Sequence, residues 1–367
     1  MGKRGNTPEL ENRAGSTAVR DSLHAAIPSA HRYPPSWFNR FLGLCERLPL
    51  PAWTVYVGWL VFQGLLAHIA AWDAGMLPVG SFNILLAFCG IWSAEVFLFS
   101  HYLDRIARDC VIEYRPMLNN LSKDAFEEIQ YEFVTMPHRP VLWISVAGFA
   151  AGVYMGNAAR SYQPMMFAWP PLTYLIWGIS WSVLWVFCYR VIRQLRFASR
   201  IYASTEKIDL YHLRPLYSLS RLAVWTSLSV VIITDLNMVL LTPELLVTST
   251  FIIVLVLAML LSLATFLLPL YGIKRRILAE KNQLIAATGQ EIEIAYDRLA
   301  RAIRTGDSKK LADVRTILDL VHRKKDFVHS IPVWPWNPGT FTALVSAVIL
   351  PIILGILSRI MQRILGL

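Results

Sequence analysis

The stretch IPVWPWNPGTFTALVSAVILPIILGILSRI, residues 331–360, decides the fold class of this chain. Tryptophans and prolines lead directly into about twenty apolar residues, enough for a helix to cross the roughly 30 Å hydrocarbon core of a bilayer. Of the 367 residues, 55% are hydrophobic and only 16% are charged, whereas soluble domains carry about 25% charged residues. We therefore expect an all-α polytopic membrane protein.

Apolar runs with the length of a transmembrane helix, about 17 to 25 residues, occur along most of the chain. There are seven of them, covering residues 52–72, 82–103, 140–156, 171–192, 222–241, 246–270 and 339–360. The sequence therefore predicts seven transmembrane helices. An odd number of crossings places the two ends of the chain on opposite sides of the membrane.

The basic residues predict the orientation. Of the 35 Lys and Arg residues, 32 lie in the N-terminal segment, around the second and fourth loops and in the sixth loop, and 3 lie on the opposite side. Because cytoplasmic segments carry the excess of Lys and Arg, we expect the N-terminus inside and the C-terminus outside the plasma (inner) membrane. The net charge of +10 then favours contact with anionic inner-leaflet lipids, and no nucleic-acid partner is expected.

The chain divides into parts of different composition. In order, these are a disordered basic tail (1–33), an interfacial amphipathic helix (34–50), spans one to six with cytosolic loops 104–139 and 193–221 (51–271), a cytosolic helical hairpin (272–330), and a hinge with the last span (331–367). Each arm of the hairpin carries a narrow apolar stripe that needs a partner. That partner is either the other arm or the same arm of a neighbouring subunit.

The hinge is predicted from its prolines and tryptophans. Pro332, Pro335 and Pro338 each lack an N–H and disfavour helical geometry before them. Trp334 and Trp336 favour the headgroup level of the membrane. The segment is either an ordinary membrane-entry turn or a mechanical coupling between the hairpin and the last span.

The last span is mildly polar along one face, which carries Thr342, Ser346, Ile349 and Ile353. A weakly polar helix with an apolar constriction is typical of a pore lining that closes by dewetting. It equally suits a packed helix whose hydroxyl groups bond back to its own carbonyls.

Polar residues within the other spans are candidate functional groups. Glu95 lies about thirteen residues into the second span, where a carboxylate is costly unless it is paired, protonated or facing water. It is either an ion, proton or gate site, or a structural carboxyl group between helices. Asp235 and Asn237 lie near the outer end of the fifth span, where a structural or capping role is favoured. Arg190, at the inner end of the fourth span, is predicted to extend towards the interface as a topological anchor.

Two residue patterns bear on helix packing. Gly148, Gly152 and Gly156 follow one face of the third span, a spacing that lets two backbones approach closely. Packing within the subunit is favoured over a contact between subunits. A tryptophan stripe on the fourth span consists of Trp177, Trp181 and Trp185, with Tyr189 one step further. It suits either core or lipid-facing packing or stacking on a flat ligand.

The chain contains no P-loop, Rossmann glycine pattern, HExxH, CxxCH or nucleophile elbow. Its histidines and four cysteines are not spaced as metal or haem ligands. We therefore expect no catalytic residues, no cofactor and no metal site.

Two segments, IDLYHLRPLYSLSRLA (208–223) and IPVWPWNPGTF (331–341), resemble those of uncharacterised multi-spanning bacterial membrane proteins. The layout of the whole chain resembles the seven-transmembrane ion channels of the insect odorant- and gustatory-receptor type, although the last span lacks that family's tyrosine–phenylalanine signature. The resemblance implies a homo-oligomer, with a tetramer favoured. The hairpin 272–330 would be its anchor and the helix 339–360 would line its pore.

Three functions stay open from the sequence. The first is a homo-oligomeric ion channel, held together by the hairpin and lined by the last helix. The second is a secondary or proton-coupled transporter that works through Glu95. The third is a membrane sensor or scaffold whose cytosolic hairpin docks partners.

Overall fold

The computed structural model describes residues 33–118, 122–204, 214–240, 249–305 and 308–332, and every regular element in these ranges is a helix. The α-helices are α1 (Trp37–Arg47), α2 (Ala52–Asp73), α3 (Ile84–Ala87), α4 (Ile91–Tyr114), α5 (Lys123–Val134), α6 (His138–Ala159), α7 (Pro170–Ser204), α8 (Arg214–Leu240), α9 (Ser249–Thr305) and α10 (Ser308–Ser330). Short 3₁₀ helices lie at Arg115–Met117 and Pro164–Phe167.

Four of the described helices are long and apolar enough to cross a membrane. They are Ala52–Asp73, His138–Ala159, Pro170–Ile201 and Tyr217–Thr234. The predicted class, an all-helical protein with membrane-spanning helices, is confirmed at this level. The count of seven spans and their orientation stay predictions, and the last predicted span, 339–360, lies outside the described residues.

The second predicted span, 82–103, is divided in the structure. A turn at Phe88–Gly90 separates α3 from α4, and α4 then continues to Tyr114. Gly90 lies so close to α2 that an added Cβ would be 1.5 Å from Gln63 Oε1. The helix is therefore interrupted where its backbone approaches a buried polar side chain, which hydropathy along the chain does not reveal.

Helices α6 and α7 pack with their backbones close together. A Cβ at Gly152 would lie 2.5 Å from the carbonyl oxygen of Trp177, and one at Gly148 would lie 3.0 Å from that of Trp181. Gly156 faces the Tyr174 ring, 3.3 Å from the added Cβ. All three glycines of the predicted packing stripe thus lie against α7 of the same chain.

Helix α1 packs on the protein with its apolar face. Ser36 caps it by accepting a hydrogen bond from the Asn39 N–H at 3.3 Å. Phe38 and Leu42 are buried in the core, whereas Leu44 is 58% exposed. The Asn39 side chain also joins α1 to the α5–α6 junction, since its amide accepts from the backbone N–H of Met136 at 2.9 Å.

Helix α9 has 57 residues, which at 1.5 Å per residue is about 86 Å, far more than the roughly 30 Å of a bilayer core. Its second half packs against α10 as the hairpin. The Lys281 ammonium of α9 donates to the carbonyl oxygens of His329 and Ile331, both at 2.8 Å. This contact fixes the end of α10 to α9 just before Pro332, the last described residue of the predicted hinge.

A buried polar column along α4 and α7

Buried polar side chains follow α4 and α7 along much of their length. We call this set the polar column, and it consists of Gln163, Ser180, Arg190 and Gln194 with Glu95, Ser100 and Asp104. None of them is more than 7% exposed. From Ser180 to Gln194 the rise along α7 is about 21 Å, some two thirds of the hydrocarbon thickness.

Helices α4 and α7 run in the same direction, so the members of the column occur in matching order. Near one end, the rings of Trp92 and Trp181 have centroids 5.4 Å apart. Near the other, Asp104 of α4 meets Arg190 of α7. Glu95 lies between these two levels.

The Arg190 end of the column is held by a buried ion pair. The guanidinium group of Arg190 donates to the Asp104 carboxylate and, at 2.9 Å, to the backbone carbonyl of Ser100. The Arg190 side chain is only 1% exposed. The prediction that Arg190 extends to the interface is therefore wrong, because a carboxylate one helix away offers its charge a buried partner.

A second arginine anchors the chain segment before α1 at the same end. The Arg193 guanidinium donates to the carbonyl oxygen of Thr135 and to the hydroxyl of Tyr33, and it lies 5.2 Å from the centroid of the Tyr33 ring. Tyr33 in turn donates to the Thr135 carbonyl at 2.7 Å. Burial raises the pKa of the Tyr33 phenol by more than the adjacent Arg193 lowers it. Tyr33 therefore keeps its proton and stays a hydrogen-bond donor at neutral pH.

Glu95, between these two levels of the column, is 7% exposed and lies on the face of α4 that meets α8 two turns later. It shares a face of α4 with Tyr102, seven residues later, whose ring lies 5.3 Å from that of Trp225. Just after Trp225, α8 carries two further buried hydroxyl groups, those of Thr226 and Ser229. The other two predicted intramembrane residues, at positions 235 and 237, belong to α8, and their side chains lie outside the description.

The Gln163 end of the column opens into a cavity of about 40 Å³. Its lining includes the polar side chains of Gln163 and Ser180 and the indole of Trp181. Both amide atoms of Gln163, the Ser180 hydroxyl and the Trp181 Nε1 are buried and have no hydrogen-bond partner among the described residues.

The loop before α7 positions Gln163. Its backbone N–H donates to the Ala159 carbonyl at 3.0 Å, and its own carbonyl accepts from Met166 at 3.1 Å. The loop is fixed to α2 by the Trp169 indole N–H, which donates to the Asp73 carboxylate at 3.0 Å.

The remaining predicted residues fall into two groups. Trp177 and Trp181 are buried, whereas Trp185 is 40% exposed, so only the start of the tryptophan stripe reaches the column. The pore-lining candidates Thr342, Ser346, Ile349 and Ile353 and the hinge residues Trp334, Pro335, Trp336 and Pro338 lie outside the described residues.

Sequence analysis missed Gln163, Ser180 and Asp104. Ser180 and Asp104 lie within or just after apolar runs, where one polar residue gives no signal of its neighbours. Gln163 lies in a short loop without periodicity. The described ranges contain no group of three His, Cys, Asp or Glu side chains placed to hold a metal ion, and the four cysteines, all within these ranges, are free thiols.

Comparison of the chain with protein-family models, with characterised proteins and with solved structures finds no match.

Proposed function

We propose that this chain is a multi-pass membrane transport protein that moves protons, alone or coupled to a solute, along the polar column. Glu95 is its titrating group. The observation that supports this proposal is a series of buried polar side chains along α4 and α7, several with atoms that no described protein group satisfies. These include the Ser100 and Ser180 hydroxyls and the Gln194 amide.

The unsatisfied polar atoms of the column favour bound water. A buried polar atom without a partner costs about 1–3 kcal/mol, and buried waters typically satisfy such groups. Waters bound at Ser180, Ser100 and Gln194 would form a hydrogen-bonded chain over about 21 Å of the bilayer. Such a chain can relay protons, and ionisable residues inside membranes characteristically mark such relays.

The two carboxylates of the column have different roles in this proposal. Asp104 is paired with the Arg190 guanidinium, which places a buried ion pair at one end of the column. Glu95 lies at the level between the tryptophan contact and the ion pair. It is therefore the group that can exchange a proton with water from both directions.

The finer topology belongs to the same proposal. Seven spans, an N-terminus inside and a plasma-membrane location are supported by the apolar runs and by the uneven placement of Lys and Arg. The basic segments then contact anionic lipids of the inner leaflet.

The test is proton flux into liposomes that contain the purified full-length chain and a trapped pH-sensitive dye, driven by a potassium diffusion potential. We expect Glu95→Gln to lower the flux about 100-fold or more, the usual scale for loss of a proton-transfer group. Glu95→Asp keeps the carboxyl group and should retain part of the flux.

The matched control is Glu113→Gln on the same helix, since the Glu113 side chain is 48% exposed and lies outside the column. Its flux should equal that of the wild type. Flux that is unchanged in Glu95→Gln, or the absence of any flux from correctly folded protein, would contradict the proposal.

A second candidate function is a homo-oligomeric ion channel. Two observations favour it: α9 continues without interruption into the hairpin, and α10 carries exposed apolar side chains at Ile317, Leu320 and Phe327. In this alternative the hairpin joins subunits and the helix 339–360 lines the pore, as the layout resemblance implies.

Particle mass and planar-bilayer recording separate the two candidates. A tetramer with unitary currents that persist in Glu95→Gln favours the channel. A particle of any size whose proton flux depends on Glu95 favours the transporter. Absence of flux together with a bound cytosolic protein favours the sensor or scaffold.

A further inference from the structure

We propose that the cavity at the Gln163 end is a binding site for a small, neutral, planar molecule of the amide class, about the size of formamide. The site shares Gln163 and Ser180 with the polar column, but its test does not depend on proton transport, because binding is measured without any flux. Its evidence is the lining of the cavity, its size and its charge.

The polar groups of the cavity match an amide. Gln163 offers one acceptor, Oε1, and one donor, Nε2, side by side, and both are buried without a hydrogen-bond partner in the described chain. A planar amide presents the complementary donor and acceptor at the same spacing. The Trp181 Nε1–H adds a donor and the Ser180 hydroxyl can act in either direction, so both remaining sites on the ligand are served.

The size of the cavity limits the ligand. A water molecule needs about 10–15 Å³ of such volume, so the cavity of about 40 Å³ has room for about three non-hydrogen atoms. Formamide has that number of atoms, whereas a benzene ring needs a cavity of about 150 Å³.

The charge and shape of the lining exclude other classes. None of the described residues that line the cavity is Asp, Glu, Lys, Arg or His, so an ion would be buried there without a counter-charge, which is costly. The positive hydrogen of the Trp181 N–H would also repel a cation. Trp92 and Trp177 contribute flat apolar walls, which suit a planar ligand.

The experiment is saturation-transfer NMR of formamide on the full chain in lipid nanodiscs. The ceiling on binding energy per atom for very small ligands sets the expected Kd on the order of 1 mM. Gln163→Met keeps the length of the side chain but removes its donor and acceptor, and should raise the Kd about 10-fold or more. Ser180→Ala removes one oxygen without altering the fold and should raise it about 3-fold.

The matched control is Gln130→Met, the same exchange on α5 outside the cavity, which should leave the Kd unchanged. Ammonium chloride is the competing probe and should not displace formamide. The proposal is overturned if formamide gives no saturable signal with folded wild-type protein, if both Gln163→Met and Ser180→Ala bind as the wild type does, or if ammonium binds instead. The first two results would mean that the cavity holds water only.

Discussion

The two ends of the polar column differ in how their buried polar groups are hydrogen-bonded. At the Arg190 end, a guanidinium group meets a carboxylate and a backbone carbonyl, and Arg193 fixes Tyr33 and the α5–α6 junction beside it. At the Gln163 end, an amide, a hydroxyl and an indole N–H surround a cavity without hydrogen bonds to described residues. At the first end the two charged groups are paired with each other, although Arg190 Nε and the neighbouring Gln194 amide have no described partner. At the second end none of the three polar groups has one.

This difference predicts opposite responses to mutation. Removing a group at the Arg190 end leaves its partner charged, buried and unsatisfied. Removing one at the Gln163 end takes away a group that has no partner among the described residues.

The largest effect is expected at the ion pair. Asp104→Ala leaves Arg190 buried without a counter-charge and should cost about 3–5 kcal/mol of the free energy of unfolding, measured by denaturant titration in micelles. The double variant Asp104→Leu/Arg190→Met replaces both charges by apolar groups and should recover most of the loss. A double variant as unstable as the single one would show that the pair is not the source of the effect.

The next effect is expected where α6 and α7 approach each other. Gly152→Ala places a Cβ 2.5 Å from the Trp177 carbonyl oxygen, and such overpacking costs about 1–3 kcal/mol. The control is Gly289→Ala in the hairpin, where an added Cβ meets no atom within 4 Å, so that a gain of about 0.4–1 kcal/mol is expected. Equal effects of the two exchanges would contradict the packing described here.

A matched serine pair on α7 tests the contrast itself. The Ser182 hydroxyl donates to the Ser145 carbonyl at 2.6 Å, so Ser182→Ala should cost about 1 kcal/mol. Ser180→Ala removes a hydroxyl that has no described partner, and its cost should be below about 0.5 kcal/mol. If Ser180→Ala proved the more destabilising exchange, the Gln163 end would be a fixed structural site.

The smallest effect concerns pH. Burial raises the pKa of Glu132 above 4.5, while Arg193 lowers it. The folded state therefore disfavours the ionised carboxylate of Glu132. The stability that its protonated form contributes is lost as the pH rises through the pKa of the folded state. Because Glu132 is partly exposed, Glu132→Gln should stabilise by only about 0.5 kcal/mol or less at pH 7. The gain should vanish below pH 4.5, and a gain that persists there would exclude this cause.

The sequence predicted those features that depend on local pattern. Apolar runs of spanning length indicated α2, α4, α6, α7, α8 and the first part of α9, because a helix in lipid must satisfy its own backbone. The spacing of Gly148, Gly152 and Gly156 indicated a close helix contact, since only glycine admits a backbone at 2.5 Å from a Cβ position.

The features that sequence analysis missed depend on distance in space. Asp104 and Arg190 are 86 residues apart, and nothing in either segment indicates that α4 and α7 run side by side in matching register. The interruption before α4 depends on Gln63 of a different helix. Gln163 becomes a candidate binding residue only because it lines a cavity together with Ser180 and Trp181.

Accessibility of the column to a small aqueous cation tests the central claim most directly. In a chain whose four native cysteines are replaced, Ser100→Cys, Ser180→Cys and Leu98→Cys are exposed to Ag⁺ in liposomes, and the thiols that remain are labelled after denaturation. Leu98 is the control, because it lies on α4 but is 42% exposed on the surface of the bundle. We predict that Ag⁺ blocks the thiols at positions 100 and 180 and leaves the one at position 98 free. If all three stay free, the column is dry, and no proton pathway passes along α4 and α7.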